Sequence, residues 1–154
     1  MSEIRNIWLH ANNMIRSARQ MINENLRPLN LSSAEGNILL HLLTQGQEME
    51  QGQLVRQLDI SKPAVSRALN SLETKGFVTR QRDPDDRRAY RVRLVDKALE
   101  IGAAVEQIYS QVYMLAIRGI SQDELDHFLE LFGRISENLE VGDDDAVSRL
   151  VGVA

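Results

Sequence analysis

Four polar residues, spaced so that they share one side of a predicted helix, have side chains that can bind a polyanion. Lys62, Ser66 and Asn70 are spaced four residues apart, and Arg67 adjoins them. Positions three or four apart lie on the same face of an α-helix. Lysine and arginine bind phosphate oxygens, while arginine can pair with guanine and asparagine with adenine through two hydrogen bonds each. This face is therefore predicted to contact nucleic acid.

The polar face belongs to the second helix of a predicted helix–turn–helix. Leu54 and Leu58 have the spacing of a short first helix, and Ser61 is expected to cap the second helix at Lys62. Pro63 fits the first turn because the N–H group that it lacks would have no helical partner there. The buried face of the second helix is expected to consist of Ala64, Val65, Ala68, Leu69 and Leu72.

A β-hairpin is predicted directly after this helix. Residues 77–82 and 89–95 are β-prone and partly alternating. The segment between them, 83–88, is Asp-Pro-Asp-Asp-Arg-Arg, in which proline and aspartate are typical of turns. Residues 47–50, before the first helix, are predicted to be a polar connector. A helix–turn–helix followed by a hairpin is the winged-helix arrangement.

Positive charge is concentrated on this part of the chain. Residues 61–93 contain nine lysines and arginines and four acids, a net charge of +5, whereas the whole chain has a net charge of −4. A basic region in an acidic protein is a localised footprint for a polyanion. The alternative is that the charges of the hairpin are simply solvated.

The helix–turn–helix segment and the Asp-Pro-Asp-Asp-Arg-Arg turn together resemble the MarR family of bacterial transcription regulators. The first segment is Asp-Ile-Ser-Lys-Pro-Ala-Val-Ser-Arg-Ala-Leu-Asn-Ser-Leu-Glu-Thr-Lys-Gly-Phe-Val-Thr-Arg. The resemblance covers roughly residues 4–140. It implies a mainly α fold with a small β-hairpin wing and N- and C-terminal dimerisation helices. The implied function is that of a homodimer that binds double-stranded DNA, usually as a repressor.

The resemblance also implies how the protein would contact DNA. The helix from Lys62 to Lys75 would enter the major groove, and a wing arginine would reach the adjacent minor groove. Asp86 is expected to orient a neighbouring arginine by a charge-assisted hydrogen bond, or else to be a simple turn residue. Four further arginines are expected to bind phosphates or to form internal salt bridges: Arg80, Arg82, Arg91 and Arg93. The predicted DNA-binding residues are Ser61, Lys62, Ser66, Arg67, Asn70, Asp86, Arg87 and Arg88.

Amphipathic helices flank the winged helix in the sequence. Residues 4–27 have apolar residues at intervals of three or four and stop before Pro28. Capping boxes at 32–35 and 121–124 mark the starts of two further helices. The resemblance implies that the terminal helices interlock into a dimer; packing within one chain is the alternative. The predicted organisation is one compact domain, with dimerisation helices at 1–30 and 96–154 and the winged helix–turn–helix at 31–95.

The helix after the wing departs from the family pattern at its start. The family usually has Leu-Thr-x-x-Gly there, but this chain has Leu94, Val95 and Asp96. Because valine cannot cap a helix and aspartate can, the helix is expected to start one residue later. Further along, Gly142 is expected to end the last long helix. Residues 143–151 are expected either to form one more short helix or to fray.

The composition narrows the classes of function. Of the 154 residues, 43% are hydrophobic and 5% are aromatic. Because the chain has no cysteine, disulfides and thiolate metal sites are excluded. Because aromatic residues are few, binding of nucleic acid by stacking on bases is disfavoured. His10, His41 and His127 lack metal-ligand spacing, so neither an enzyme nor a cofactor is expected. There is no signal peptide or membrane-length apolar segment, so we expect a cytoplasmic protein without membrane contact.

Two questions stay open. Many proteins of this resemblance release DNA when a small ligand wedges between the dimer helices and the DNA-binding part. Asn12, Asn13, Arg16 and His41 could line such a pocket, but an ordinary helix-surface role fits each of them as well. The alternative for the whole chain is a winged helix used as a protein–protein interaction module without specific DNA binding. The lysine and arginines of the recognition face favour DNA.

Overall fold

The computed structural model describes residues 2–58 and 60–141. These residues form a mainly helical fold with one small antiparallel sheet, which confirms the predicted fold class. The helices are α1 (Ser2–Leu26), α2 (Ser33–Thr44), α3 (Gln51–Leu58), α4 (Lys62–Thr74), α5 (Asp96–Ala116) and α6 (Gln122–Val141), with a short 3₁₀ turn at Arg27–Leu29 after α1. The strands are β1 (Glu48–Glu50), β2 (Val78–Arg82) and β3 (Tyr90–Leu94). The chain packs as two units, one up to Tyr113 and one from Met114 onward.

Both predicted capping boxes are present. Ser32 Oγ accepts a hydrogen bond from the Glu35 N–H at 3.2 Å, and Glu35 Oε1 accepts one from the Ser32 N–H at 3.1 Å. Ser121 and Glu124 make the same pair of bonds before α6, at 3.2 and 2.8 Å. Because each box satisfies two N–H groups that have no helical partner, α2 and α6 start where the sequence predicted.

The core of the first unit forms where α2, α4 and the sheet meet. Leu69 and Leu72 of α4 are fully buried beside Ile38 and Leu39 of α2. The predicted apolar face of α4 is thus correct, except that Ala64 lies at its edge and is only partly buried. Packing of this stripe against α2 determines which side of α4 remains open to solvent.

The sheet has a third strand where a polar connector was predicted. Its order is β1-β3-β2, and β3 pairs antiparallel with both neighbours. Met49 of β1 lies opposite Val92 of β3 and is 8% exposed. Burial of Met49 and ion pairs from the flanking Glu48 to β3 explain why such a short, polar segment forms a strand.

The start of α5 does not shift as expected. The helix begins at Asp96, and the Val95 carbonyl accepts hydrogen bonds from the N–H groups of Ala98 and Leu99 at 2.9 and 3.4 Å. Val95 therefore occupies the cap position without a side-chain bond. Asp96 lies in the first turn, where its negative charge is favourable to the helix dipole.

The amphipathic helices differ in how far their apolar side chains are buried within the chain. Ala98, Val105 and Val112 of α5 are buried in the core, so this stripe packs within its own chain. In α1, by contrast, Ile22 and Leu26 are the only buried residues among those described. Exposed large apolar side chains remain on α1 (Ile4, Ile7, Trp8, Leu9, Met14, Ile15 and Met21) and on α6 (Phe128, Leu129, Leu131, Phe132, Ile135 and Leu139).

Two further observations concern the described residues alone. None of their helices is long and apolar enough to cross a bilayer. The expectations for residues 142–151 lie outside the described ranges.

Candidate nucleic-acid interface

The recognition helix, α4, is closed at both ends by local hydrogen bonds. Ser61 Oγ accepts from the Ala64 N–H at 3.3 Å, as predicted for its N-cap. At the other end Gly76 has a φ of +77°, and the Phe77 N–H donates to the Leu72 carbonyl at 2.9 Å. A residue with positive φ ends a helix in this way most readily when it is glycine. The ends of α4 are thus determined by the neighbouring sequence.

The predicted polar face of α4 is exposed to solvent, with the exception of one residue. Ser61, Lys62, Arg67 and Asn70 are exposed. Ser66 is partly buried and turns toward the wing, where it lines a cavity of about 450 Å³ together with Gln51, Glu73, Arg80 and Tyr90. Ser66 is therefore less accessible to a bound polyanion than its helical spacing predicted.

Lys75, at the end of the predicted helix, faces the protein interior. Its ammonium lies 2.9 Å from the buried Glu35 carboxylate, which also accepts from Ser71 Oγ at 3.1 Å. The Lys75 ammonium further donates to the Asn30 carbonyl at 2.6 Å. Burial opposes ionisation of Glu35, but hydrogen bonds from Lys75 and Ser32 outweigh it and hold the pKa of Glu35 below its ordinary value. This cluster attaches the C-terminal end of α4 to the start of α2.

The tip of the wing is shaped by aspartates that bind the backbone. The Asp86 carboxylate accepts from the Arg88 N–H at 2.9 Å, and the Asp83 carboxylate accepts from the Asp85 N–H at 2.9 Å. Asp86 thus forms the turn, which is one of the two roles expected for it, and among the described residues it pairs with no arginine side chain. Arg87 and Arg88 are exposed, and within the described ranges neither guanidinium forms an ion pair.

The strand arginines divide between internal pairs and solvent. Arg91 and Arg93 bind the two oxygens of Glu48 at 2.7 and 2.9 Å, and the hydrogen bond from Arg91 contributes most to a lowered pKa of Glu48. Arg80 donates a hydrogen bond to Asn70 of α4 and forms an ion pair with Glu73 of the same helix. Arg82 lies 5.9 Å from the centre of the Tyr90 ring and is exposed. Of the two roles expected for these arginines, internal pairing is therefore observed for Arg80, Arg91 and Arg93.

A groove of about 590 Å³ brings the start of α4 and the wing together. Lys62 and Arg88 both line it, although they are far apart in the sequence. Arg56 of α3 lines it as well, with two carboxylates, Glu50 and Asp86. The sequence argument missed Arg56; its only local signal was a cation on the polar side of a short amphipathic helix. A groove with three cations from separate elements can bind an extended phosphate chain.

A second cavity, of about 540 Å³, lies between α1, α2, α5 and the turn before α4. Its walls are mostly apolar, and its polar lining residues include Arg19, Asn37, Ser61, Tyr109 and Tyr113. Burial raises the pKa of the Tyr109 hydroxyl, so Tyr109 remains a neutral hydrogen-bond donor.

The sequence analysis considered four residues for an effector pocket. None of them lines this cavity: Asn12, Asn13, Arg16 and His41. The Nε2 atom of His41 is 2.7 Å from Gln57 Oε1, and Arg16 donates to Asn13. Asn12 is exposed. Ile15 and Ile22, in the apolar stripe of α1, line the cavity, and Arg19 lines it from the same side of the helix. The sequence alone did not show which side of α1 faces α2.

Within the described part of the chain no three histidine, aspartate or glutamate side chains are grouped so as to hold a metal ion.

Comparison with known proteins connects these features to a family. The family model of MarR matches residues 29–89, which include α2, the helix–turn–helix and most of the wing. The structure is similar to that of transcriptional regulator PA3341, with 30% identity, a TM-score of 0.78 and coverage of 87% of this chain and 98% of that one. The chain belongs to the MarR family. Proteins of the MarR family are transcription regulators and not enzymes, so this chain is a transcription regulator.

Two other similar structures contain bound molecules. A MarR family transcriptional regulator from Listeria monocytogenes, in complex with 26mer DNA, has 21% identity and a TM-score of 0.74, and the match covers 97% of this chain and 94% of that one. The organohalide-sensing regulator RdhR-CbdbA1625, in its 2,4-dichlorophenol-bound form, has 20% identity, a TM-score of 0.78 and coverage of 95% and 87%. At these identities the likeness to each concerns the fold.

Proposed function

We propose that this MarR-family regulator binds double-stranded DNA as a homodimer and represses transcription by occupying a pseudo-palindromic operator. The observation that carries the proposal is the groove in which Lys62, at the start of α4, meets Arg88 of the wing. Beside this groove Ser61, Arg67 and Asn70 are exposed on α4. A helix that enters the major groove needs such an open polar face, and the cations beside it can bind the phosphates that flank the groove.

In the proposed complex α4 lies in the major groove and the wing follows the backbone. The N-terminal residues of α4 come closest to the bases. Arg87 and Arg88 are exposed at the turn of the wing, so that one of them can enter the adjacent minor groove, where negative potential attracts arginine. Asp86 contributes by holding the backbone of this turn.

A homodimer is proposed because the chain leaves large apolar surfaces uncovered. Trp8 on α1 is 50% exposed, and Phe128 and Phe132 on α6 are 55% and 52% exposed. Apolar side chains in such numbers on one chain mark an interaction surface. We assign residues 1–30 and 96–154 to dimerisation. A two-fold dimer would present two copies of α4 to successive turns of DNA, which predicts an operator with inverted symmetry.

The same regulator is proposed to respond to a small aromatic effector in the cavity between α1 and the helix–turn–helix. Ser61 and Ala64, in the first turn of α4, line this cavity, so a ligand there would touch the helix that contacts DNA. Its apolar walls and polar lining groups suit a phenol, and a regulator of the same fold has a bound 2,4-dichlorophenol. A ligand of this kind would release DNA by favouring dimers in which the two α4 helices are wrongly spaced.

The proposal can be tested by selecting DNA fragments that the purified protein retains at moderate salt and sequencing them. An enriched pseudo-palindrome is expected. The double variant Arg87→Ala/Arg88→Ala should lose at least tenfold in affinity for that sequence and should keep its oligomeric state. Arg27→Ala/Arg118→Ala removes the same charge at exposed positions outside the sequence of the winged helix–turn–helix, and this variant should bind normally.

The selection also separates the alternative functions. Retention of DNA without an enriched motif would mean that the protein binds phosphates without sequence preference. No retention at low salt would contradict the proposal and favour a winged helix that binds another protein.

A further inference from the structure

We propose that Arg80 determines which bases Asn70 can recognise, by holding the Asn70 amide in one orientation. The inference rests on the proposed DNA binding, because it concerns the chemistry of the same helix face. Asn70 is an exposed residue of α4, and Arg80 belongs to β2 of the wing.

The orientation follows from a hydrogen bond between these two residues. Arg80 Nη2 donates to Asn70 Oδ1. A guanidinium has only donors, so the amide oxygen has to face it and the amide nitrogen is the atom turned away from Arg80. Within the described ranges the Asn70 nitrogen donates to no other residue, which leaves its two N–H groups for a ligand.

Arg80 is itself held from several sides. Its backbone N–H donates to Glu73 Oε2 at 3.2 Å, and its guanidinium lies 3.5 Å from Glu73 Oε1. The guanidinium also lies 6.0 Å from the centre of the Tyr90 ring, and the side chain is only 17% exposed. Arg80 therefore cannot swing away from Asn70 without losing the partners that hold it against α4.

This arrangement changes the expected base preference of Asn70. Recognition of adenine through two hydrogen bonds requires the amide oxygen to accept from N6 while the nitrogen donates to N7. With its oxygen already accepting from Arg80, the groups of Asn70 that have no partner among the described residues are its two N–H donors. The bases whose major-groove edges present acceptors without an amine donor are guanine, with N7 and O6, and thymine, with O4; adenine has its N6 amine beside N7. The sequence indicated only that asparagine can pair with adenine; the bond to Arg80 favours guanine or thymine instead.

The experiment compares fragment selections for the wild type and a set of variants. Asn70→Ala identifies the operator position that depends on Asn70, since that position loses its preference. In the wild type this position should be guanine or thymine. Arg80→Met removes the donor while keeping most of the side-chain length, so the freed amide should shift the preference there to adenine by about tenfold.

A matched control is available on the same strand. Arg82→Met removes the same charge from a residue that lies equally near the Tyr90 ring but forms no hydrogen bond to Asn70 within the described chain. It should weaken binding at all sequences alike and leave the base preference unchanged. In the Asn70→Ala background, Arg80→Met should have no effect on the preference either.

A second variant keeps the test valid if Arg80→Met does not fold. Asn70→Asp retains an acceptor for Arg80 and replaces the outward-facing donors with an acceptor. The preferred base should then become cytosine, whose N4 amine donates. Circular dichroism and the oligomeric state show whether each variant is folded.

Three results would overturn the inference: adenine at the Asn70-dependent position of the wild type, an unchanged preference in a folded Arg80→Met variant, or a uniform loss of affinity in Asn70→Ala without any position affected. Absence of DNA binding by the wild type would instead show that the proposed function has failed.

Discussion

The Glu35 carboxylate, at the start of α2, lies 2.9 Å from the Lys75 ammonium at the end of α4. The Glu35 side chain is 7% exposed and that of Lys75 24%. Removal of one partner would leave the other charge with little water around it, which is more costly than loss of a surface ion pair. The pair therefore stabilises the position of the recognition helix against the rest of the first unit.

Lys75→Met should lower the free energy of unfolding by about 2–3 kcal/mol, less than for a fully buried pair because Lys75 retains some solvent. Chemical denaturation would measure this change. Lys62→Met is the matched control: Lys62 is exposed on the same helix, so its loss should leave stability nearly unchanged and weaken DNA binding. Equal stability of the two variants would contradict a structural role for the Glu35–Lys75 pair.

The same pair predicts how stability depends on pH. The pKa of Glu35 is lowered in the folded state from the ordinary value of 4.5, so the unfolded chain binds the proton more readily. The contribution of Glu35 is therefore present above pH 4.5 and is lost as the pH falls through the lower, folded pKa. Glu35→Gln should destabilise the protein more at pH 6 than near pH 3, as measured by urea unfolding at each pH. Glu100→Gln, at an exposed position, should show no such difference.

The proposed dimer predicts that a negative charge has different effects at an apolar and at a polar position of α1. Trp8→Asp places a charge on a residue that is already 50% exposed in the single chain, so the monomer should stay folded while association fails. Analytical ultracentrifugation should then detect monomers, and circular dichroism should still show the helices. Asn12→Asp, at an exposed polar position on α1, should remain dimeric. If the wild type itself were monomeric, the proposed homodimer would be contradicted.

The effector cavity predicts different outcomes for two nearby arginines of α1. Arg19 lines the cavity, whereas Arg16 binds Asn13 on the helix surface. Arg19→Met should weaken binding of 2,4-dichlorophenol about tenfold, since a charge-assisted hydrogen bond is lost, and Arg16→Met should leave it unchanged. Calorimetric titration of the phenol into each variant measures this difference. If the Arg16 variant alone lost the ligand, the binding site would lie elsewhere on α1.

Features that depend on near neighbours in the chain were predictable from the sequence. The cap of α4 at Ser61, the capping boxes at Ser32 and Ser121 and the end of α4 at Gly76 are all formed by hydrogen bonds between residues at most five apart. The apolar stripe of α4 was predictable as well, because helical periodicity alone shows which residues share a face. These local signals, together with the resemblance carried by the helix–turn–helix and the wing, were enough to predict the fold class and the family.

Features that depend on distant parts of the chain were decided by the tertiary structure. The strand around Met49 exists because β3 offers it a partner, and Glu35 finds Lys75 only once α2 packs on α4. Whether Arg16 or Arg19 meets the cavity depends on how α1 rotates against α2, which no local pattern specifies. The direction of the Asn70 amide is decided by Arg80, a residue of another element. In each case the deciding contact joins two different elements, and its energy is available only after folding brings them together.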